Sequence, residues 1–249
     1  MIELNTGAVL WRGFSELDGA PIVLIATGLE GSRNAKTGAG MVQTYIMRAD
    51  MSPLDALRAG ADESVCGDCP HREGSCYVNV GNGPTIAYKM SAAGRYRHHD
   101  VETGAELLRG RRVRIGSYGD PAAVPFYVWQ AILAYSGMVT GYTHQWRRFP
   151  AFAAYCMASC DSPADRAAAR VLGFRTFRIR LEGEPLEDRE IACPASKEAG
   201  AKTTCDRCVA CGGRSAKARA DVAILAHGLA WKVKAFAAMR AARVASIAP

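Results

Sequence analysis

The sequence predicts an α/β fold: a (β/α) barrel, complete or partial, with two cysteine-rich metal-binding insertions. Three observations predict it. Short β-like runs alternate with helical stretches along the chain, and parallel strands need helical crossovers of that kind. The strand candidates number near eight, which suits a barrel, with an open doubly wound sheet as the second choice. Seven of the nine cysteines fall into two short-spaced sets, each in a Gly-rich or polar segment that interrupts the alternation. The 249 residues are read as a single domain over 1–249. A Cys/His-rich insertion spans 60–112, and a second Cys-rich insertion spans 193–218.

The strands are expected at Pro21–Ala26, Gln43–Met47, Arg112–Gly116, Met138–Tyr142, Tyr155–Ala158, Arg175–Arg180, Glu190–Ala192 and Asp221–Ala226. Most have Gly, Pro, Asp or Ser close by, the usual punctuation of strands. Helices lie between them. Ser52-Pro53 and Ser162-Pro163 each place an N-cap serine before a proline at the first helical position. Val124–Tyr135 is apolar enough to face a core. From Gly228 to Ile247, Leu229, Val233, Phe236, Met239 and Val244 interleave with Lys232, Lys234, Arg240 and Arg243. That pattern predicts an amphipathic helix packed on the body with its basic face wet.

A net charge of +7 points to a polyanionic partner, with nucleic acid first. The basic stretch from Arg95 to Arg112 can track a phosphate backbone or simply be a solvated loop. No apolar run approaches the ~18 residues of a membrane span, so no membrane partner is expected. The first residues lack a basic start followed by an apolar run. An odd number of cysteines excludes complete disulfide pairing, and thiolate ligands suit a reducing, cytoplasmic setting.

The cysteines carry the strongest chemistry. Cys205, Cys208 and Cys211 are evenly spaced, and Cys193 precedes them after a strand. Four thiolates satisfy tetrahedral zinc or an iron–sulfur cluster, with His227 as an alternative fourth ligand. Cys66, Cys69 and Cys76 form a set of three. Either His71 completes a zinc knuckle, or the three cysteines hold a 4Fe-4S cluster with one iron left open. One site shared by both sets is the remaining possibility. The cofactor is therefore zinc or a 4Fe-4S cluster, in one or two centres.

Other candidates stand at strand ends. Asp120 closes Arg114-Ile-Gly-Ser-Tyr-Gly-Asp, and Asp161 closes Met157-Ala-Ser-Cys-Asp. In a barrel such carboxylates line the active-site mouth as nucleophile or base, and elsewhere they are helix caps. Tyr142-Thr-His144-Gln145-Trp146 offers proton transfer at His144 and substrate contacts at Tyr142, Gln145 and Trp146, or else a solvent loop with a packed Trp. Asn34 and Lys36 lie in a flexible basic loop that lacks a complete phosphate-loop motif, and with Arg114 they are further candidates for substrate binding.

Taken in order, Gly-Ser-Cys76-Tyr, the Asp120 run, Gly-Tyr-Thr-His144-Gln-Trp, Ala-Ser-Cys-Asp161 and Cys205-x-x-Cys-x-x-Cys resemble a group of cysteine-rich bacteriophage proteins. Two barrel superfamilies are natural homes for that resemblance. The chain is similar to the tRNA-guanine transglycosylases, which include phage enzymes that insert 7-deazaguanine into DNA. Their zinc set looks like Cys205, Cys208, Cys211 and His227, although the family has Cys-x-Cys-x-x-Cys. This likeness implies Asp120 and Asp161 as a catalytic pair, base exchange on nucleic acid with DNA ahead of RNA, and the cytoplasm of a host cell. The chain also resembles radical S-adenosylmethionine enzymes, with Cys-x-x-Cys-x6-Cys in place of their Cys-x-x-x-Cys-x-x-Cys. That likeness implies iron at Cys66, Cys69 and Cys76 and an auxiliary cluster at the later thiols. A non-enzymatic phage factor, binding nucleic acid or a host protein through a metal-braced fold, is the third expectation.

Overall fold

Alternating β-branched runs and short helices assemble one ten-stranded sheet in the computed structural model, which describes residues 6–32, 34–72, 74–208, 210–215 and 217–245. The strands are β1 (Gly7–Phe14), β2 (Pro21–Thr27), β3 (Met41–Arg48), β4 (Arg97–His98), β5 (Arg112–Tyr118), β6 (Met138–Thr143), β7 (Met157–Cys160), β8 (Thr176–Arg180), β9 (Glu190–Ala192) and β10 (Asp221–Leu225). The helices are α1 (Pro53–Arg58), α2 (Glu63–Cys66), α3 (Gly83–Ala92), α4 (Val101–Leu107), α5 (Phe126–Ile132), α6 (Pro163–Val171), α7 (Cys205–Cys208) and α8 (Ala230–Ala245). All eight expected strands form. β1 and β4 were not foreseen.

The sheet order is β4-β1-β2-β3-β5-β6-β7-β8-β10-β9. β2 runs antiparallel to β1 and β3, and every other neighbouring pair is parallel. The complete barrel is not formed. No ladder joins β4 to β9 among the described residues, and these two strands are the sheet's edges. The antiparallel meander β1–β2–β3 ends the parallel run on one side, and the three-residue β9 ends it on the other. Nor does the strand order reverse as in a doubly wound sheet, since β3, β5, β6, β7 and β8 are neighbours in chain order.

Sequential parallel strands with right-handed crossovers put their helices on one face. The packing shows this. Helical residues Val65, Ala87, Val128, Trp129, Ile132 and Ala169 all belong to the larger apolar cluster, with Val113, Ile115 and Val139 of the sheet. The opposite face carries Met157, Val222 and Ile224, flanked by Tyr142, Phe177 and Ile179. It is covered by Cys193, Ala195 and Ala210 and by the half-buried Cys205, Cys208 and Cys211. The 193–218 segment is thus a lid on the face opposite the crossover helices, and it carries the one-turn α7. The 60–112 segment is more than an insertion, because with α1 it makes the crossover from β3 to β5 and supplies the edge strand β4.

The Ser-Pro starts behave as their chemistry requires: Ser52 accepts from Asp55 N and Ser162 from Asp165 N. α8 departs from expectation. Phe236 is buried, but Leu229 and Trp231 are exposed, and the basic residues partly turn inward. Lys232 donates to the Cys76 carbonyl at 2.6 Å, and Arg240 pairs with Glu184 at 2.6 Å. The side chain of Val244, and Ile247, lie outside the described residues.

Candidate metal centres

The first thiol set is built by α2 and the loop after it. Arg72 staples this loop, donating to both Asp62 oxygens at 3.1 and 3.0 Å, to Gly67 O at 3.1 Å and to Gly60 O at 2.7 Å. Gly67 has φ 60°, and a Cβ there would stand 2.5 Å from Gln145 Nε2. Glycine is therefore required on both counts. That same Nε2 donates to Asp68 at 2.6 Å and to Cys66 O at 3.3 Å, so Gln145 clamps the cysteine loop to the end of β6. Burial pushes all three thiols up, and the nearness of Cys69 and Cys76 adds to the rise at Cys66. Lys232 pulls Cys76 back. The three half-buried thiols thus lie near one another, where thiolates need a cation.

His71 does not face that region as a fourth ligand. Its Nε2 meets Asp161 Oδ1 at 2.9 Å and its Nδ1 meets Ser75 Oγ at 2.7 Å. The Cys-Cys-His-Cys knuckle is not the arrangement seen, because both ring nitrogens are engaged elsewhere.

The two strand-end aspartates have different surroundings. Asp120 caps the short turn Pro121–Ala123. It accepts from Ala122 N at 3.0 Å, Thr143 Oγ1 at 2.7 Å and His144 N at 2.7 Å. Burial pushes its pKa up to about 6 despite these donors. Asp161, at the end of β7, is also buried, which opposes ionisation. The His71 hydrogen bond and the charges of His71, His144 and Arg243 nonetheless hold its carboxyl below the ordinary range. Arg243 lies 3.5 Å from its Oδ2. His144, at the end of β6, is pushed down to about 4 by burial, and its Nε2 is buried without a hydrogen-bond partner. Among the described residues, His71, His144 and Asp161 are the one group of three whose ligand atoms all lie within 4.8 Å of one another.

The remaining strand-end candidates part company. Side chains alternate along β6, so Tyr142 points to the opposite face, against Phe177 at 4.3 Å. Trp146 is core, its Nε1 donating to Ser159 O at 3.2 Å. Asn34 Oδ1 accepts from Lys36 N and Thr37 N at 3.1 and 3.3 Å, a local turn. Lys36 Nζ lies 3.3 Å from His227 Nε2.

The second thiol set shares a cavity without drawing together to the spacing of a single ion. Cys193, Cys205, Cys208 and Cys211 line one cavity with Arg114, Thr140 and Tyr142. His227 is not among its walls and sits exposed, its Nδ1 donating to Leu225 O at 2.7 Å. The loop that carries Lys36 holds α7 in place: Cys205 N donates to Lys36 O at 3.1 Å and Asp206 N to Thr37 O at 2.9 Å. Arg175 donates to Ala210 O, Gly213 O and Ala220 O and so fixes the other end. Burial pushes Cys211 up to about 12. Cys156 and Cys160 are core residues.

Sequence reasoning missed Arg72, Ser75, Thr143, Phe236 and Arg243. Arg72, Thr143, Phe236 and Arg243 act through partners on other elements, and Ser75 acts through His71 in its own loop, a contact that spacing alone does not mark. No protein-family profile, curated protein or solved structure matches the chain. Among the described residues no helix is long and apolar enough to cross a membrane.

Proposed function

We propose that the protein is an iron–sulfur enzyme acting on nucleic acid or its components, with its active centre at Cys66, Cys69 and Cys76. One observation carries this reading: three half-buried thiols lie near one another, and among the described residues the His and Asp side chains beside them are already engaged. His71 is held by Asp161 and Ser75, Asp62 by Arg72, and Asp120 by Ala122, Thr143 and His144. Three thiolates suit a 4Fe-4S cluster, which when bound supplies one-electron chemistry at an iron open to a co-substrate. The chain's own residues do the rest. Arg72 and Gln145 hold the cysteine loop rigid, and Lys232 offsets the charge beside Cys76. His71, His144 and Asp161 present polar atoms at the same strand ends.

In this reading the parallel strands curl as a partial barrel around the 193–218 lid, where the four-thiol set braces the fold around a metal. A net charge of +7 and the exposed Arg147 and Arg243, both beside Asp165, suit a phosphate-bearing substrate. The resemblance read from the sequence would favour DNA over RNA as that substrate. Electron paramagnetic resonance of the reduced protein tests the open position. Added S-adenosylmethionine is expected to shift the signal, and an unchanged signal contradicts the reading.

A second reading, base exchange, is favoured by the ionised state of Asp161. Its carboxylate would form a bond to the sugar C1′ as the bond from C1′ to the base breaks, and an incoming 7-deazaguanine would reverse the step. Asp120 suits that role less well, since three donors already occupy its oxygens. Incorporation of labelled 7-deazaguanine into DNA that survives Asp120→Asn but not Asp161→Asn supports this reading. No incorporation by the unaltered protein rejects it.

A further inference from the structure

His71, His144 and Asp161 come from the cysteine loop and from the ends of β6 and β7, and they meet at one point. Two imidazoles and a carboxylate are the donor set that non-haem iron and related divalent metals take, with further positions left open. Two ligands about 2.1 Å from one ion and at right angles stand about 3.0 Å apart. The 2.9 Å between His71 Nε2 and Asp161 Oδ1 matches that separation, and equally matches a hydrogen bond. His144 decides between them. Its Nε2 is buried with no hydrogen-bond partner, and one of its ring nitrogens lies within 4.8 Å of the other two ligand atoms. A buried polar atom left without a partner calls for an occupant.

We propose that His71, His144 and Asp161 form a site for one divalent cation of the iron(II) or manganese(II) class, distinct from the thiolate centre. The surroundings fit a metal site. Ser75 Oγ, 2.7 Å from His71 Nδ1, accepts that N–H and frees Nε2 as the ligand atom, the usual support for a ligating histidine. Asp120 holds the His144 backbone N–H at 2.7 Å, and Asp165 accepts from Asp161 N at 3.3 Å. The buried Phe236 ring stacks on His71 at 5.6 Å between centroids and fixes the imidazole plane. Three protein ligands leave room for water or a substrate oxygen, which the ion would polarise. The site does not depend on the iron–sulfur reading, since its donors are nitrogen and oxygen.

Manganese(II) tests it, because that ion prefers nitrogen and oxygen donors to thiolates. The full-length protein, stripped with a chelator, is titrated with manganese(II) while the free ion is followed by its paramagnetic resonance signal. About one ion per chain is expected. His144→Ala and Asp161→Asn should each weaken binding at least about tenfold, and Ser75→Ala by about tenfold. Cys69→Ser should bind manganese as the unaltered protein does. Far-ultraviolet circular dichroism establishes that each variant is folded, and His144→Ala removes a nitrogen that makes no hydrogen bond. Failure of the folded protein to take up manganese at millimolar concentration overturns the site. So does binding that is unchanged in both His144→Ala and Asp161→Asn.

Discussion

Asp120 joins three donors, from Ala122, Thr143 and His144, and so ties the end of β5 to the end of β6. Thr143 Oγ1 itself accepts from Gln145 N at 2.9 Å. An asparagine would turn an NH2 toward at least one backbone N–H. Asp120→Asn should therefore cost about 1–3 kcal/mol, read as a lower urea midpoint with unchanged m. Glu190 behaves differently. Its carboxylate takes two hydrogen bonds from Arg178, at 2.9 and 2.6 Å, and both side chains are buried. Burial would raise its pKa, but the Arg178 hydrogen bonds and charge outweigh that and depress it. A depressed carboxylate stabilises the fold above its unfolded pKa, about 4.3, and that stability is lost as pH falls through the folded value. Glu190→Gln should cost about 1–3 kcal/mol at neutral pH, because the buried Arg178 loses its two charge-assisted bonds and keeps Glu184, 3.7 Å away, as a counter-charge. It should also flatten the loss of stability below about pH 4, as followed by urea unfolding from pH 7 to pH 3. At this scale the sequence reveals local chemistry, such as the caps at Ser52 and Ser162. It hides the pairing of His71 with Asp161, which are brought together only by the crossover from β3 and the end of β7.

Among the elements, α8 binds the body through few anchors: Phe236 on His71, Lys232 on Cys76 O, Arg240 on Glu184 and Arg243 beside Asp161. Phe236→Ala should destabilise the protein by about 3–5 kcal/mol if the loss is global. Because the helix docks at one edge of the site, we expect local opening instead, with faster hydrogen exchange in α8 while the amides of β5 and β6 stay protected. The basic residues of α8 looked like a wet face because periodicity reports spacing and says nothing of carboxylates and carbonyls that arrive from elsewhere. β1 escaped notice for a related reason: its first four positions are all buried, so the alternation that marks a half-buried strand begins only at Trp11. β4 is two residues long and exists only as a pairing with β1.

For the whole molecule, the parallel run from β3 to β10 was legible because strand–helix alternation is a property of the chain. Closure was not, because it depends on how the end strands pair, and the antiparallel β2 leaves β4 and β9 as free edges. The two thiol sets also separate at this scale. Cys193, Cys205, Cys208 and Cys211 sit on the face opposite the crossover helices, while Cys66, Cys69 and Cys76 sit at the strand ends with His71, His144 and Asp161. The central claim is that the three-thiol set holds iron with one position open. Iron and acid-labile sulfide per chain, measured on anaerobically purified wild type, Cys69→Ser and Cys208→Ser, test it most directly. The account predicts about four irons and four sulfides that Cys69→Ser loses and Cys208→Ser retains. Protein that carries zinc alone, or iron that persists undiminished in Cys69→Ser, would contradict it.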